Sequence, residues 1–103
     1  MSSGYQYVSN PANHGVVSMS AGVKSLLLHY DVVANTYLTV DLPPGPTDGD
    51  QAVITVDMND AFITVQSTDG STVVRGANNI GVGINQPRSW IYMAALNTWQ
   101  PGY

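Results

Sequence analysis

The sequence has no cysteine and no glutamate, and only 10% of its 103 residues are charged, against about 25% in an average soluble domain. Without cysteine there are no disulfides, no thiolate nucleophile and no zinc–sulfur site. Basic residues are limited to Lys24, Arg75 and Arg88, and the formal net charge is −4. Phosphate neutralisation needs the opposite balance, so nucleic acid is not an expected partner. Long apolar runs are missing too. None approaches the roughly 20 residues that span a membrane. Residues 1–22 lack the basic start and continuous apolar stretch of a secretory signal. The expectation is a product made in the cytoplasm, with no membrane partner. Strong helix formers are scarce beside 10 Gly and 6 Pro, which argues against a helical fold. A chain this short buries roughly 60–70% of its unfolded surface, enough for one modest core.

What is present is alternation. Residues 37–42 place Leu38, Val40 and Leu42 on one face and Tyr37, Thr39 and Asp41 on the other. Residues 52–58 set Ile54, Val56 and Met58 against Val53, Thr55 and Asp57, and residues 89–96 set Trp90 and Tyr92 against Ile91 and Met93. Period-2 patterning of this kind marks strands. Pro43-Pro44-Gly45-Pro46, Asp48-Gly49-Asp50 and Asn59-Asp60 punctuate them as turns. Asp69-Gly70 reads as a hairpin, since Asp-Gly accepts the positive φ of a type I′ turn; its arms are 63–65 and 72–74. About seven short strands at regular spacing predict an all-β domain over residues 23–103, a small antiparallel β-sandwich or barrel.

Residues 1–22 differ from the rest, being uncharged and rich in Ser, Asn and Gly. Two readings are open: a free tail, or an extended N-terminal arm lying on a neighbouring subunit, with Tyr5, Tyr7 and Val8 as anchors. Disordered tails tend to be charged and poor in aromatics, and this segment is neither.

Several strands are apolar or uncharged on both faces: 23–33, 53–58, 80–84 and 90–96. An antiparallel sheet in a small monomer normally turns one polar face to water, so the excess apolar surface is expected to meet another copy. The residues expected in the core and oligomer interface are Leu26, Leu28, Ile80, Val82, Ile84, Trp90 and Tyr92. Gly81 and Gly83 leave one face of their strand as bare backbone, which suggests close approach by another group.

Chemistry is harder to find. Asp48, Asp50, Asp57, Asn59 and Asp60 offer oxygen ligands, but they sit where turns need them and lack the further ligands of a calcium loop. His14 and His29 are far apart with no glutamate near either, so no metal and no cofactor is expected. There is no nucleophile elbow and no Walker loop, and the expectation is a non-enzymatic protein. Trp99, beside the proline-limited end, is the candidate for stacking on a sugar.

The segments LTVDLPPGP, DGDQAVITVDMND, FITVQSTDGSTVVRG and SWIYMAALNTWQ, in that order over residues 30–99, resemble a β-rich module of tailed-bacteriophage structural proteins, chiefly head-decoration and tail-fibre proteins. The resemblance implies a virion component, usually a homotrimer, without catalytic residues. Fibre modules usually belong to much longer chains, so the short module points to a capsid decoration (cement) protein that binds the major capsid protein. The alternative is a receptor-binding tail-fibre or tail-tip module that recognises cell-surface glycans.

Overall fold

In a computed structural model of the chain, the described residues are 5–31, 36–57, 61–70, 72–76, 78, 80–83 and 86–102. Ten strands form two sheets, with no helix among the described residues. They are β1 (Tyr5–Ser9), β2 (Val16–Ser18), β3 (Ser25–His29), β4 (Thr36–Leu42) and β5 (Gln51–Asp57), then β6 (Ala61–Ser67), β7 (Val73–Val74), β8 (Ile80–Val82), β9 (Arg88–Met93) and β10 (Thr98–Pro101). Sheet A runs β1-β3-β5-β9-β10-β7 and sheet B runs β2-β4-β6-β8. The all-β expectation holds; the count of about seven strands was too low.

The strand pairing differs from the expected antiparallel arrangement. Five of the eight strand pairs are parallel: β1–β3, β3–β5, β2–β4, β4–β6 and β7–β10. Antiparallel pairing joins β5–β9, β9–β10 and β6–β8. A parallel pair needs a crossover of a dozen or more residues, and here the strand of the opposite sheet supplies it. The chain lays one strand in sheet A, crosses to lay one in sheet B, and returns, so β1/β2, β3/β4 and β5/β6 are three successive rungs. Alternation could not reveal this, because side chains alternate in both kinds of pair.

The Asp69-Gly70 turn shows the consequence. Gly70 has the required positive φ of 75°, but the arms do not form a hairpin: β6 belongs to sheet B and β7 to sheet A. The Asp69 carboxylate accepts from the Ser67 hydroxyl at 2.8 Å, the Thr72 amide at 3.0 Å and the Thr72 hydroxyl at 2.9 Å. Those bonds fold the turn into an arch between sheets. The Asn59-Asp60 turn lies outside the described residues.

The core lies between the sheets. Leu38, Val40 and Leu42 from β4, Ile54 and Val56 from β5, and Trp90 and Tyr92 from β9 all point inward, on the faces that alternation assigns them. Met58 lies outside the described residues. Residues 5–18 are the other departure. Instead of extending away, they give each sheet its first strand: β1 pairs with β3 and β2 with β4 of the same chain. Val17 and Met19 are buried and Val8 packs against the core, which is what draws this polar segment into the fold. The Gln6 side chain fastens the two first strands together, donating to the Ser18 carbonyl at 2.8 Å and accepting from the Ser20 amide at 2.9 Å.

Candidate functional site

Most of the residues expected at a subunit interface are inside this chain's own core. Leu26, Leu28 and Val82 are fully buried, Trp90 and Tyr92 nearly so, and Ile80 packs partly buried against them. These side chains therefore stabilise the subunit and are not surfaces for another copy. Ile84 lies outside the described residues. The outward side chains of the same strands, Leu27, Val53 and Ile91, are half-buried by neighbours in their own sheet. The two-sided strands thus demand less external cover than their sequences suggest.

Trp99 is also a correction. It is 1% exposed and packs edge to face on Tyr92, with ring centroids 5.5 Å apart, so it offers no face to a sugar. Pro101 does not end the strand before it; it pairs opposite Trp90 in the β9–β10 ladder. A cleft of about 160 Å³ beside Trp99 is lined by Lys24, Pro43, Pro44 and Gln51 among others. The Trp99 Nε1 is buried without a hydrogen-bond partner, out of reach of solvent in that cleft.

Among the described residues seven large apolar side chains are exposed, and three of them, Tyr5, Tyr7 and Val16, lie on β1 and β2. Tyr5 and Tyr7 are each 53% exposed, on the outer face of sheet A, and Val16 is 62% exposed, on the outer face of sheet B. Val8, the third expected anchor, alternates to the inner side. Both strands are the last in their sheets, and residues 5–19 contain no Lys, Arg, Asp or Glu. Edge strands are usually protected by charge; these are not.

Parallel, in-register rungs also align side chains in rows across a sheet. One row contains His29, whose pKa is shifted. Ser9, His29 and Asp57 are register partners on β1, β3 and β5. His29 Nδ1 lies 2.8 Å from both Asp57 carboxylate oxygens, and Nε2 lies 2.9 Å from Asp31 Oδ1. Asn10 closes the cluster: its Nδ2 donates to Asp31 Oδ2 at 2.7 Å, its Oδ1 accepts from the Asp31 amide at 2.9 Å, and its own amide donates to the His29 carbonyl. Tyr7 stacks on the imidazole with centroids 5.8 Å apart. The hydrogen bond to Asp57, then that to Asp31, raises the His29 pKa above its ordinary 6.5, against a smaller opposing effect of burial. Asn10, then His29, lowers the Asp31 pKa below its ordinary 3.8. Burial pushes the neighbouring Tyr30 phenol up.

When His29 is protonated, both ring nitrogens donate to carboxylates and the imidazolium is held between two anions. The cluster is a clasp joining β1, β3 and β5. The sequence shows His29 and Asp57 28 residues apart; only the parallel register brings them together.

Three further acidic residues among those described serve the backbone or their neighbours. Asp48 Oδ1 accepts from the Ala94 amide and Asp50 Oδ2 from the Thr47 amide. Asp41 joins its row partners, accepting from Ser18 and Gln66 on β2 and β6. Among the described residues, no three His, Asp or Glu side chains converge where they could hold a metal ion, and no helix is long and apolar enough to cross a membrane. No protein-family model, curated protein or solved structure matches this chain.

Proposed function

We propose that this chain is a non-enzymatic structural protein of a tailed-phage virion, a decoration (cement) protein that assembles as a homotrimer and binds the major capsid protein on the assembled head. The reading is carried by the first rung: two adjacent edge strands, free of charged residues, bearing Tyr5, Tyr7 and Val16 exposed. Unguarded strand edges of this kind are templates for pairing with another protein. The resemblance of residues 30–99 to phage structural modules supports the choice of partner.

The tyrosines and Val16 face opposite sides of the molecule, so they serve different contacts. Tyr5 and Tyr7 meet the shell, and Val16 meets the neighbouring copy. A protein that binds only the assembled lattice stabilises it by mass action, and three linked copies raise the effective concentration of each weak contact. Removing residues 1–22 would strip a strand from both sheets, so point charges are the better test. Tyr5→Lys with Tyr7→Lys should abolish co-sedimentation with empty heads while leaving the oligomer intact. Undiminished shell binding by that variant would overturn the assignment.

A further inference from the structure

The outer face of sheet B carries a second row. Tyr37, Phe62 and Gly81 are register partners on β4, β6 and β8. His14 precedes them, held over Tyr37 by the turn before β2. Its amide donates to the Tyr37 carbonyl at 2.6 Å, and Asn13 Oδ1 accepts from the Tyr37 amide at 2.8 Å. To reach that place His14 adopts φ of 65°, a conformation few non-glycine residues take. The rings then stack in sequence: His14 on Tyr37 at 5.7 Å and 6°, Tyr37 on Phe62 at 5.3 Å and 22°. The row ends at Gly81, one strand further on, where there is no side chain to continue it.

Neither crowding nor backbone conformation accounts for that glycine. A Cβ there would stand 3.9 Å from Phe62 Cε1, an ordinary contact, and its φ lies outside the left-handed region. Glycine weakens a strand and often marks the place where another molecule approaches. Above it lies a cleft of about 160 Å³ lined by Phe62, Gly81, Val82, Gly83, Gln86 and Arg88. Arg88 is fixed at its side by an Nε–H bond to the Gly81 carbonyl at 2.9 Å.

We propose that this cleft binds a six-membered sugar ring, which takes the fourth place in the stack by laying its C–H face on Phe62 over Gly81. The size fits, since a cavity of roughly 150 Å³ accommodates a benzene ring. The chemistry selects a saccharide over a partner's aromatic side chain. The cleft has one apolar ring face and a rim of guanidinium, carboxamide and backbone groups, matching a ligand with an apolar face and a hydroxylated edge. A saccharide's hydroxyls can pair with the Arg88 and Gln86 donors at that rim, which a phenyl ring cannot.

The site does not depend on the virion reading. The test is titration of the full chain with methyl glycosides and short oligosaccharides of glucose, galactose, mannose and N-acetylglucosamine, followed by amide NMR shifts. At least one should shift Gly81, Gly83 and Arg88. Phe62→Ala and Gly81→Val should each weaken that binding at least tenfold. Gly81→Val should keep its fold and its shell binding, because the added Cβ has room. Three results would overturn the proposal: no saccharide shifts Gly81, Gly81→Val binds as well as the wild type, or a Phe- or Tyr-containing tetrapeptide shifts Gly81 where no saccharide does.

Discussion

The two ends of the molecule are held by different physics. At the closing end, β9 and β10 bring Trp90, Trp99 and Tyr92 into the core. Trp90 Nε1 donates to the Arg75 carbonyl at 2.9 Å and the Tyr92 hydroxyl to Asn97 Oδ1 at 2.6 Å. Buried aromatic area dominates there. At the opening end, β1 is fastened by Gln6, Asn10 and the Asp57–His29–Asp31 clasp, most of it at the surface. One end gives the subunit its stability. The other holds an edge in place for a partner and responds to pH.

The largest expected effect is at the closing end. Trp90→Ala removes a buried indole and should cost about 3–5 kcal/mol, measured by urea unfolding, with the same loss at pH 5.5 and pH 8.5. Next comes the arch. Asp69→Ala leaves the buried Ser67 and Thr72 groups without their acceptor and should cost about 1–3 kcal/mol, with the β6–β7 amides losing hydrogen-exchange protection first.

The clasp gives a smaller effect with a definite sign. The His29 pKa is raised in the folded chain, so its contribution is complete below 6.5 and is lost as pH climbs through the raised value. The Asp31 pKa is lowered, so its contribution is complete above 3.8 and is lost as pH falls through the lowered value. The clasp is therefore strongest between those two ordinary values. After correction for intrinsic rates, β1 amides should exchange more slowly at pH 5.5 than at pH 8.5. His29→Gln should erase that difference and leave the closing end unaltered; a wild-type β1 without pH dependence would contradict this account of the clasp.

The comparison also separates what the sequence displays from what it conceals. The inward faces were legible because alternation encodes burial directly: Leu38, Val40, Leu42, Ile54, Val56, Trp90 and Tyr92 all lie where period 2 puts them. Pairing was not legible, because parallel and antiparallel strands share that period, and the Asp69-Gly70 turn serves an arch as well as it serves a hairpin. Residues 5–18 read as an arm because few of them are apolar. The useful signal was Val17 and Met19, alternating with Val16 and Ser18. The rows, His29 with Asp57 and Tyr37 with Phe62 and Gly81, exist only in the register. The glycines at 81 and 83 were the visible trace of one of them.

The most direct test of the uncovered first rung is sedimentation equilibrium at micromolar concentration, comparing the wild type with Val16→Lys. The wild type should have three times the 11.0 kDa chain mass, and the variant should be a folded single chain. A wild type that sediments as a compact 11.0 kDa species would contradict the account.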